Sequence, residues 1–304
     1  MRKMKNKEQK IINKEVRSWE VFYFQGIRME SHEITGLESL LPLRAFRGRL
    51  YLHGMHTLKK SLGQHFLKDE KVVETIIVAL MQHPFTNLLE VGPGGGALTK
   101  HLIKIPGIHF KAVELDEEKV EYLLKEFPAL KNDLIHKSFL NMDRPFDVPF
   151  TVIGNFPYNI STQILFKVLE WKEYVPVVIG MFQKEVAERI AAKEGSKVYG
   201  VLSVLLQYYY EAQYLFSVGN ECFTPQPKVQ SGVIQLVRRE NYLPVKSERA
   251  FWVLVKTAFN QRRKTLRNGV KSLIPKEILE DNFFDRRAET LSVREFAELT
   301  FKMS

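Results

Sequence analysis

The chain has 304 residues, of which 45% are hydrophobic and 26% are charged, as in an ordinary globular protein. The formal net charge of +10 favours a polyanionic partner. The chain lacks the roughly 18 consecutive apolar residues of a membrane helix, and its single cysteine, Cys222, excludes an internal disulfide and a cysteine-based zinc site. These features fit a reducing, cytoplasmic compartment and predict no membrane segment and no metal. We also expect a monomer.

The first 55 residues differ in character from the rest. Residues 1–15 are rich in lysine, and residues 19–51 mix aromatic and charged side chains without a sustained period. A secretory signal would need a continuous apolar core, and this segment has none. A mitochondrial presequence would be poor in acidic residues, whereas this segment contains several glutamates. We therefore expect residues 1–55 to be an N-terminal extension that is disordered or non-native, with the natural start near Met55.

From residue 56 onward, apolar runs alternate with amphipathic stretches. The predicted strands are Asn87–Val91, Phe110–Glu114, Phe150–Gly154 and Val175–Met181, and the predicted helices are Ala97–Ile105, Glu117–Phe127, Thr162–Trp171 and Lys184–Ala192. Such alternation is typical of an α/β fold, in which helices cover both faces of a mostly parallel sheet.

The end of the chain changes character twice. Glu211–Val218 and Val229–Val237 are strand-like and are separated by a proline-containing loop, as in an antiparallel pair. After about Arg239 no strand is predicted, and the three short helices there are Phe251–Phe259, Lys276–Asn282 and Val293–Phe301. We therefore predict a large α/β domain over residues 56–238 and a small all-helical domain over residues 239–304.

A glycine-rich turn, Glu90–Gly96, follows the first predicted strand and precedes a helix. Glycines at such a turn let the backbone approach a ligand closely. Alone, the motif is compatible with a dinucleotide site, an S-adenosylmethionine site or a plain tight turn. A phosphate-binding loop of the Walker type is excluded, because no Lys-Ser/Thr pair follows the glycines.

Glu114 and Asp116 follow at the end of the next strand, about 20 residues beyond the glycine turn. This is the spacing at which a carboxylate accepts hydrogen bonds from the ribose of a bound nucleotide. The alternative is an N-cap, since Asp116 precedes two glutamates that would open a helix. Both are possible together, with Glu114 on ribose and Asp116 as the cap.

The segment Gly154–Asn159 carries the most specific chemistry. The lone pair of the adenine amino group is delocalised into the ring, which makes the nitrogen a poor nucleophile. The side-chain oxygen of Asn155, with a backbone carbonyl beside Pro157, could hold the two N–H groups and favour a pyramidal nitrogen. Tyr158 offers a ring on which a flipped base could stack. The alternative is a plain Asn-Pro loop with a packed aromatic side chain.

Together these motifs resemble a class I methyltransferase acting on an amino nitrogen, and more closely the KsgA family of ribosomal RNA adenine dimethyltransferases. The resemblance runs from Lys59 almost to the end of the chain. Its further segments are Lys59–Leu67, Gln183–Arg189, Phe223–Val229, Phe259–Asn268 and Arg287–Ser292.

The resemblance implies a Rossmann-like fold with a seven-stranded sheet, S-adenosylmethionine as cofactor, and dimethylation of N6 of two adjacent adenosines in the 3′-terminal hairpin loop of 16S rRNA in the assembling 30S subunit. It makes residues 56–238 the catalytic domain and residues 239–304 an RNA-binding domain. The implied catalytic residues are Asn155, Phe156, Pro157 and Tyr158. The implied cofactor-binding residues are His65, Leu67, Gly92, Gly94, Glu114, Ser138 and Asn155.

Two of these positions depart from the family's pattern. Asparagine is commoner than histidine at His65. The family's usual Gly-Asp before the fourth strand, whose aspartate contacts the cofactor's adenine, is replaced by Lys137-Ser138. Ser138 can offer a hydrogen bond but no charge, so we expect a weaker adenine contact and an unchanged reaction type.

The segment Gln261–Arg267 is strongly basic, and such a run is usually a solvated helix face. Beside a base-modifying site it is better interpreted as a phosphate-contacting surface. The predicted RNA-binding residues are Arg262, Arg263, Lys264 and Arg267, with Lys59 and Lys60 extending the surface. The aromatic cluster Tyr208–Tyr210 is interpreted as core packing.

Three alternatives stay open at this point. A macrolide-resistance methyltransferase of 23S rRNA shares the catalytic motif, although the segments Lys59–Leu67 and Arg262–Asn268 favour the 16S enzyme. A protein-glutamine or DNA-adenine methyltransferase usually carries a second proline or an aspartate in the tetrapeptide that here is Asn155–Tyr158. An assembly or transcription factor that has kept the fold without catalysis is disfavoured by the intact Asn155 and Gly92.

Overall fold

The structure is a computed structural model, and it describes residues 65–304. The predicted extension over residues 1–55, the start predicted near Met55, and the predicted RNA-binding residues Lys59 and Lys60 lie outside the described residues. Among residues 65–304, no helix is both long enough and apolar enough to cross a membrane.

A seven-stranded sheet lies at the centre of the described residues. Its strands are β2 (Asn87–Val91), β3 (His109–Glu114), β4 (Leu134–His136), β5 (Thr151–Asn155), β6 (Val177–Gln183), β7 (Tyr210–Val218) and β9 (Ser231–Arg238), in the spatial order β4-β3-β2-β5-β6-β9-β7. The first five in this order run parallel, and β9 is antiparallel to both β6 and β7. The predicted mostly parallel sheet and its antiparallel end are confirmed.

A second, two-stranded sheet lies apart from the first. The short strands β1 (Phe66–Leu67) and β8 (Phe223–Thr224) pair antiparallel, with Phe66 opposite Thr224. This pairing brings the beginning of the described chain beside the loop that leads into β9.

The helices around the sheet are α1 (Glu70–Met81), α2 (Thr99–Leu102), α3 (Glu117–Glu126), α4 (Ser161–Glu170), α5 (Lys184–Ile190) and α6 (Val201–Tyr209). Asp116 accepts the Glu118 N–H and caps α3, so the predicted capping role is confirmed. The helix predicted over Ala97–Ile105 is shorter than expected, because the glycine turn continues as irregular turns up to Leu98.

Four more helices complete the chain: α7 (Glu248–Asn260), α8 (Leu266–Val270), α9 (Lys276–Leu279) and α10 (Val293–Leu299). Their apolar side chains, among them Phe251 and Phe296, belong to the same hydrophobic core as β2, β5 and β6. The predicted boundary near residue 238 therefore crosses a continuous core, and the division into two domains stays a prediction.

The three consecutive tyrosines lie at the junction of α6 and β7. Tyr208, Tyr209 and Tyr210 are all buried, which confirms their interpretation as core packing. Each hydroxyl has a partner: Tyr208 donates to the Leu243 carbonyl and Tyr210 to the Val175 carbonyl, while Tyr209 accepts from the Trp252 indole. The bonds of Tyr208 and Tyr209 tie α6 to the helical end of the chain, and the bond of Tyr210 ties β7 to the segment before β6.

Candidate active site

The candidate site is a cavity of about 210 Å³ at the carboxyl edge of the sheet. The cavity is bordered by the ends of β2, β3 and β5 and by the segment around β1. In the sheet order, β2 has β3 on one side and β5 on the other, so the direction of the strand order reverses there. Crevices at such a reversal are the usual ligand sites of open α/β sheets.

The glycine turn forms one wall of the cavity. Gly92 and Gly94 have φ values of 69° and 55°, in the left-handed region that favours glycine. The Gly92 N–H donates to the Val113 carbonyl at 2.9 Å, which holds the turn against β3. A Cβ atom on Gly94 would lie 3.2 Å from the Phe66 ring, so a side chain there would crowd the cavity.

Glu114 closes the edge opposite the turn. Its carboxylate accepts the backbone N–H groups of Gly94, Leu115 and Asp116 at 3.2, 2.9 and 3.0 Å. These three bonds fix its orientation and link β3 to the glycine turn. A carboxylate has lone pairs beyond those three bonds, which hydroxyl groups of a ligand can use.

Asn155 lies at the end of β5, with its amide oriented by a neighbour. Its Nδ2 donates to the His65 carbonyl at 3.1 Å. Because the amide nitrogen is engaged there, Oδ1 is the atom left to accept a hydrogen bond from a ligand. This is the orientation required by the predicted role of Asn155 toward an amino group.

Tyr158 lies beside Asn155 and is held at both ends. Its hydroxyl pairs with the Ser231 hydroxyl at 2.5 Å, and its ring stacks on the His65 ring with centroids 5.4 Å apart. Burial raises the pKa of Tyr158, although the bond to Ser231 partly offsets this effect. The phenol therefore stays neutral at physiological pH, and its ring is presented in a fixed position.

Phe156 and Pro157 set the shape of the loop between Asn155 and Tyr158. The Phe156 side chain is fully buried and packs on the Phe182 ring, with centroids 4.9 Å apart. The Pro157 carbonyl accepts from the Ile160 N–H and the Ser161 hydroxyl. Phe156 thus anchors the loop in the core, and Pro157 ties it to the start of α4.

Most of the predicted cofactor residues come together in this cavity. Its walls include His65, Leu67, Gly92, Gly94, Glu114 and Asn155, along with Phe156, Pro157 and Tyr158. Ser138 is the exception. It precedes a short 3₁₀ turn after β4, is partly buried, and is not among the cavity walls.

Glu90, in the middle of the site, was not among the predicted site residues. It is 1% exposed, lies in β2, lines the cavity and accepts the Thr99 hydroxyl at 2.7 Å. Burial raises its pKa to about 8; the bond from Thr99 lowers the pKa, and the charge of Glu114 raises it further. The signal in the sequence was an acidic residue inside an otherwise apolar strand.

The predicted basic surface is divided by the structure. Arg262 donates to the Ser196 and Lys197 carbonyls at 3.5 and 2.5 Å. Arg267 pairs with Asp285 at 3.0 Å and donates to the Asp281 carbonyl. Arg263 and Lys264 are exposed, and neither forms an ion pair within residues 65–304. Arg262 and Arg267 are partly buried and are held by these bonds, whereas Arg263 and Lys264 are exposed.

The charges of the cavity indicate which nucleoside ligand fits it. Two glutamates, Glu90 and Glu114, line the cavity, and no lysine or arginine of the described residues does so. Such a site disfavours a pyrophosphate and favours a ligand with hydroxyl groups and a positive centre. S-adenosylmethionine, which carries a ribose and a sulfonium, has this chemistry. Within the described residues no cluster of side chains could hold a metal ion.

Two solved structures share the fold. A dimethyladenosine transferase from Plasmodium falciparum has a TM-score of 0.65 at 22% identity, covering 77% of this chain and 96% of that one. The 23S rRNA methyltransferase ErmE has a TM-score of 0.61 at 23% identity, and the match covers 78% of this chain and 99% of ErmE. This likeness shows that the described chain has the same Rossmann-like fold, with a mostly parallel seven-stranded sheet.

The family follows from the sequence matches. The family model for ribosomal RNA adenine dimethylases matches residues 55–300. A relative from Cytophaga hutchinsonii, named ribosomal RNA small subunit methyltransferase A, is 53% identical over 251 residues, 81% of this chain and 97% of its own. A relative of the same name from Flavobacterium johnsoniae is 49% identical over 249 residues, which cover 81% of this chain and 95% of that protein. The chain belongs to the ribosomal RNA adenine dimethylase family.

Proposed function

We propose that this enzyme dimethylates N6 of two adjacent adenosines in the 3′-terminal hairpin loop of 16S rRNA, during assembly of the 30S subunit. The relatives that match most of the chain at about half identity carry a small-subunit name. The observation that carries the proposal is the oriented amide of Asn155 in the cavity wall: its nitrogen donates to the His65 carbonyl, which leaves its oxygen to accept from a ligand. We infer further that the enzyme acts as a monomer in the cytoplasm.

The proposed roles begin with the cofactor. S-adenosylmethionine supplies an electrophilic methyl group. Glu114 is the proposed acceptor for ribose hydroxyls, and Gly92 and Gly94 let the backbone approach the ligand closely. His65 and Leu67 would cover the site from the β1 side. Ser138 is retained as a weaker adenine contact on the resemblance alone.

The adenine that receives the methyl group would be held by the loop after β5. Asn155 Oδ1 and a backbone carbonyl beside Pro157 would accept the two amino N–H groups and orient the nitrogen lone pair. The Pro157 carbonyl already accepts two hydrogen bonds, so the Phe156 carbonyl is the better candidate. Tyr158 would support the flipped base through its ring, a contact worth roughly 1–3 kcal/mol. A strong general base is not needed, because the nitrogen becomes acidic once alkylated.

The helical end of the chain is the proposed RNA-binding domain, residues 239–304. Arg263 and Lys264 are its best candidates for phosphate contacts, because both are exposed. Arg262 and Arg267 would support that surface by holding the loop at Ser196 and the turn at Asp281. Lys59 and Lys60 remain predicted contacts.

The test is methyl transfer from labelled S-adenosylmethionine to small subunits that lack adenine dimethylation. Large subunits and naked 23S rRNA serve as competing substrates, and Asn155→Ala enzyme is the control. We expect label in small-subunit RNA only, and none with the variant. Transfer to 23S rRNA alone would assign the enzyme to the resistance class. Tight subunit binding without any transfer would instead indicate an assembly factor.

A further inference from the structure

The cavity holds two carboxyl groups in very different surroundings. Glu114 accepts three backbone N–H groups, which stabilise its charge. Glu90, on the neighbouring strand, is 1% exposed and has the hydroxyl and backbone N–H of Thr99 as its partners. With no lysine or arginine among the described cavity walls, a charge on Glu90 would have no nearby counter-charge there.

A buried carboxyl in this position resists ionisation. Removing a carboxylate from water without a compensating cation is costly, so such a group takes up a proton instead. Burial raises the pKa of Glu90 to about 8, so the acid form predominates at neutral pH in the free protein.

The other titratable groups around the cavity do not supply the missing cation. Glu114 on β3 is negative and raises the pKa of Glu90 further. His65 is engaged with the Pro225 carbonyl and the Tyr158 ring on the far wall. The Lys119 ammonium of α3 lies 4.8 Å from the centroid of the Phe66 ring, and Lys119 is not among the residues that line the cavity.

We propose that Glu90 is a specificity-determining residue that senses the charge of the ligand. It ionises when S-adenosylmethionine, with its positive sulfur, occupies the cavity, and it regains the proton when the neutral-sulfur product S-adenosylhomocysteine replaces it. One proton leaves Glu90 for solvent on cofactor binding and returns from solvent after transfer. The ratio of the affinity for the charged cofactor to the affinity for the product therefore rises with pH. This difference favours release of the product.

This inference goes beyond the proposed function and depends only on the cofactor, not on which RNA is methylated. It predicts a linkage between ligand charge and proton release that a purely structural role for Glu90 would not produce. A glutamate that served only to hold Thr99 would respond equally to both ligands.

The test is isothermal titration calorimetry of S-adenosylmethionine and S-adenosylhomocysteine, in two buffers of different ionisation enthalpy. We expect wild-type protein to release more protons with the cofactor than with the product, and Glu90→Gln to release equal amounts with both. From about pH 6 to about pH 8.5 the ratio of the two affinities should rise roughly tenfold in wild type, and it should stay flat in Glu90→Gln. Equal proton release by wild type with both ligands would overturn the proposal.

Two further variants keep the test decisive if Glu90→Gln folds poorly. Thr99→Val removes the hydroxyl that stabilises the Glu90 carboxylate, so the rise in the affinity ratio should move to higher pH. Glu114→Gln should lower the affinity for S-adenosylmethionine and for S-adenosylhomocysteine by a similar factor. The difference in proton release between the two ligands should remain. An unchanged midpoint in Thr99→Val would count against the proposal. The methyl-transfer assay with wild-type enzyme and small subunits tests the proposed function separately, so that function would stand even if the Glu90 proposal failed.

Discussion

The Nδ2 atom of Asn155 donates a hydrogen bond to the backbone carbonyl of His65 at 3.1 Å, across 90 residues of sequence. This bond fixes which end of the Asn155 amide faces the cavity. It also joins the loop after β5 to the segment before β1, and so links two walls of the cavity.

Replacing Asn155 by aspartate tests this orientation. The variant keeps an oxygen toward the cavity but places a second oxygen against the His65 carbonyl, where two acceptors repel each other. We expect methyl transfer to fall by about 100-fold or more, which is a larger factor than the change in cofactor affinity. Single-turnover rates and calorimetric binding separate the two effects. Near-normal transfer by Asn155→Asp would show that the held amide is not required.

The Tyr158 ring and its hydroxyl can be separated by substitution. Tyr158→Phe loses only the bond to Ser231, so we expect a modest loss in rate. Tyr158→Ala also loses the ring, and transfer should fall by a further factor equivalent to about 1–3 kcal/mol of stacking. Ser231→Ala is the matched control and should resemble Tyr158→Phe. A Tyr158→Phe enzyme as poor as Tyr158→Ala would place the essential role in the hydroxyl.

Gly180 lies in β6, opposite Gly154 and next to the loop that carries Asn155 and Phe156. A Cβ atom there would overlap the rings of Phe156 and Phe182. Overpacking of this kind typically costs about 1–3 kcal/mol, and the displaced Phe156 would move Asn155. We expect Gly180→Ala to lower both the free energy of unfolding and the rate of methyl transfer.

The matched control for that change is Gly200→Ala. A Cβ at Gly200 would have only the Val198 carbonyl as a neighbour, at 4.0 Å. Denaturant unfolding should therefore give near wild-type stability for this variant. If Gly180→Ala behaved like the control, Phe156 would have room to move without affecting the site.

The raised pKa of Glu90 makes the free energy of unfolding depend on pH. Its pKa is raised in the folded protein from 4.5 to about 8, so the folded state retains the proton over this range while the unfolded state loses it. Wild type should therefore lose stability relative to Glu90→Gln as pH rises from about 4.5 to about 8, by at most roughly 1.4 kcal/mol per pH unit. Urea unfolding of both proteins at several pH values measures the difference. A difference that is constant across the range would contradict the burial of an acid.

The basic segment after α7 separates into two classes of residue. We expect the double variant Arg263→Ala, Lys264→Ala to bind RNA more weakly, with the salt dependence of log K reduced by about 0.7–0.9 per charge removed. Its thermal stability should not change. Arg262→Ala and Arg267→Ala should instead lower stability, because they lose bonds to the Ser196 and Asp281 carbonyls. Equal stability losses in all variants would contradict this division.

The sheet was predictable because its strands are buried on both faces. Leu88, Leu89 and Val91 make β2 mostly apolar, and β2 and β5 are buried along almost their whole length, which is the pattern of a parallel sheet under helices. The predicted bounds of these strands lie within one residue of the observed ones. The glycine turn, Glu114 and Asn155 were then placed at one edge, because the carboxyl ends of parallel strands meet there.

Other features could not be read from the sequence alone. α1 was not predicted, although Asp69 caps it and Val73, Ile76 and Leu80 form its buried stripe. The pairing of β1 with β8 joins residues about 160 positions apart through two residues each, which no local pattern reveals. The division of the basic run depends on the carbonyls at Ser196 and Asp281, which only the fold brings near it.

We propose that Asn155 directs methyl transfer to adjacent adenosines of small-subunit RNA. The most direct measurement is nucleoside mass spectrometry of the 3′-terminal 16S rRNA fragment, from cells lacking their own dimethylase and supplied with either wild-type or Asn155→Ala protein. We predict two adjacent N6,N6-dimethyladenosines with wild type and unmodified adenosines with the variant. Unmodified 16S rRNA in the presence of folded, cofactor-binding wild-type protein would contradict the claim.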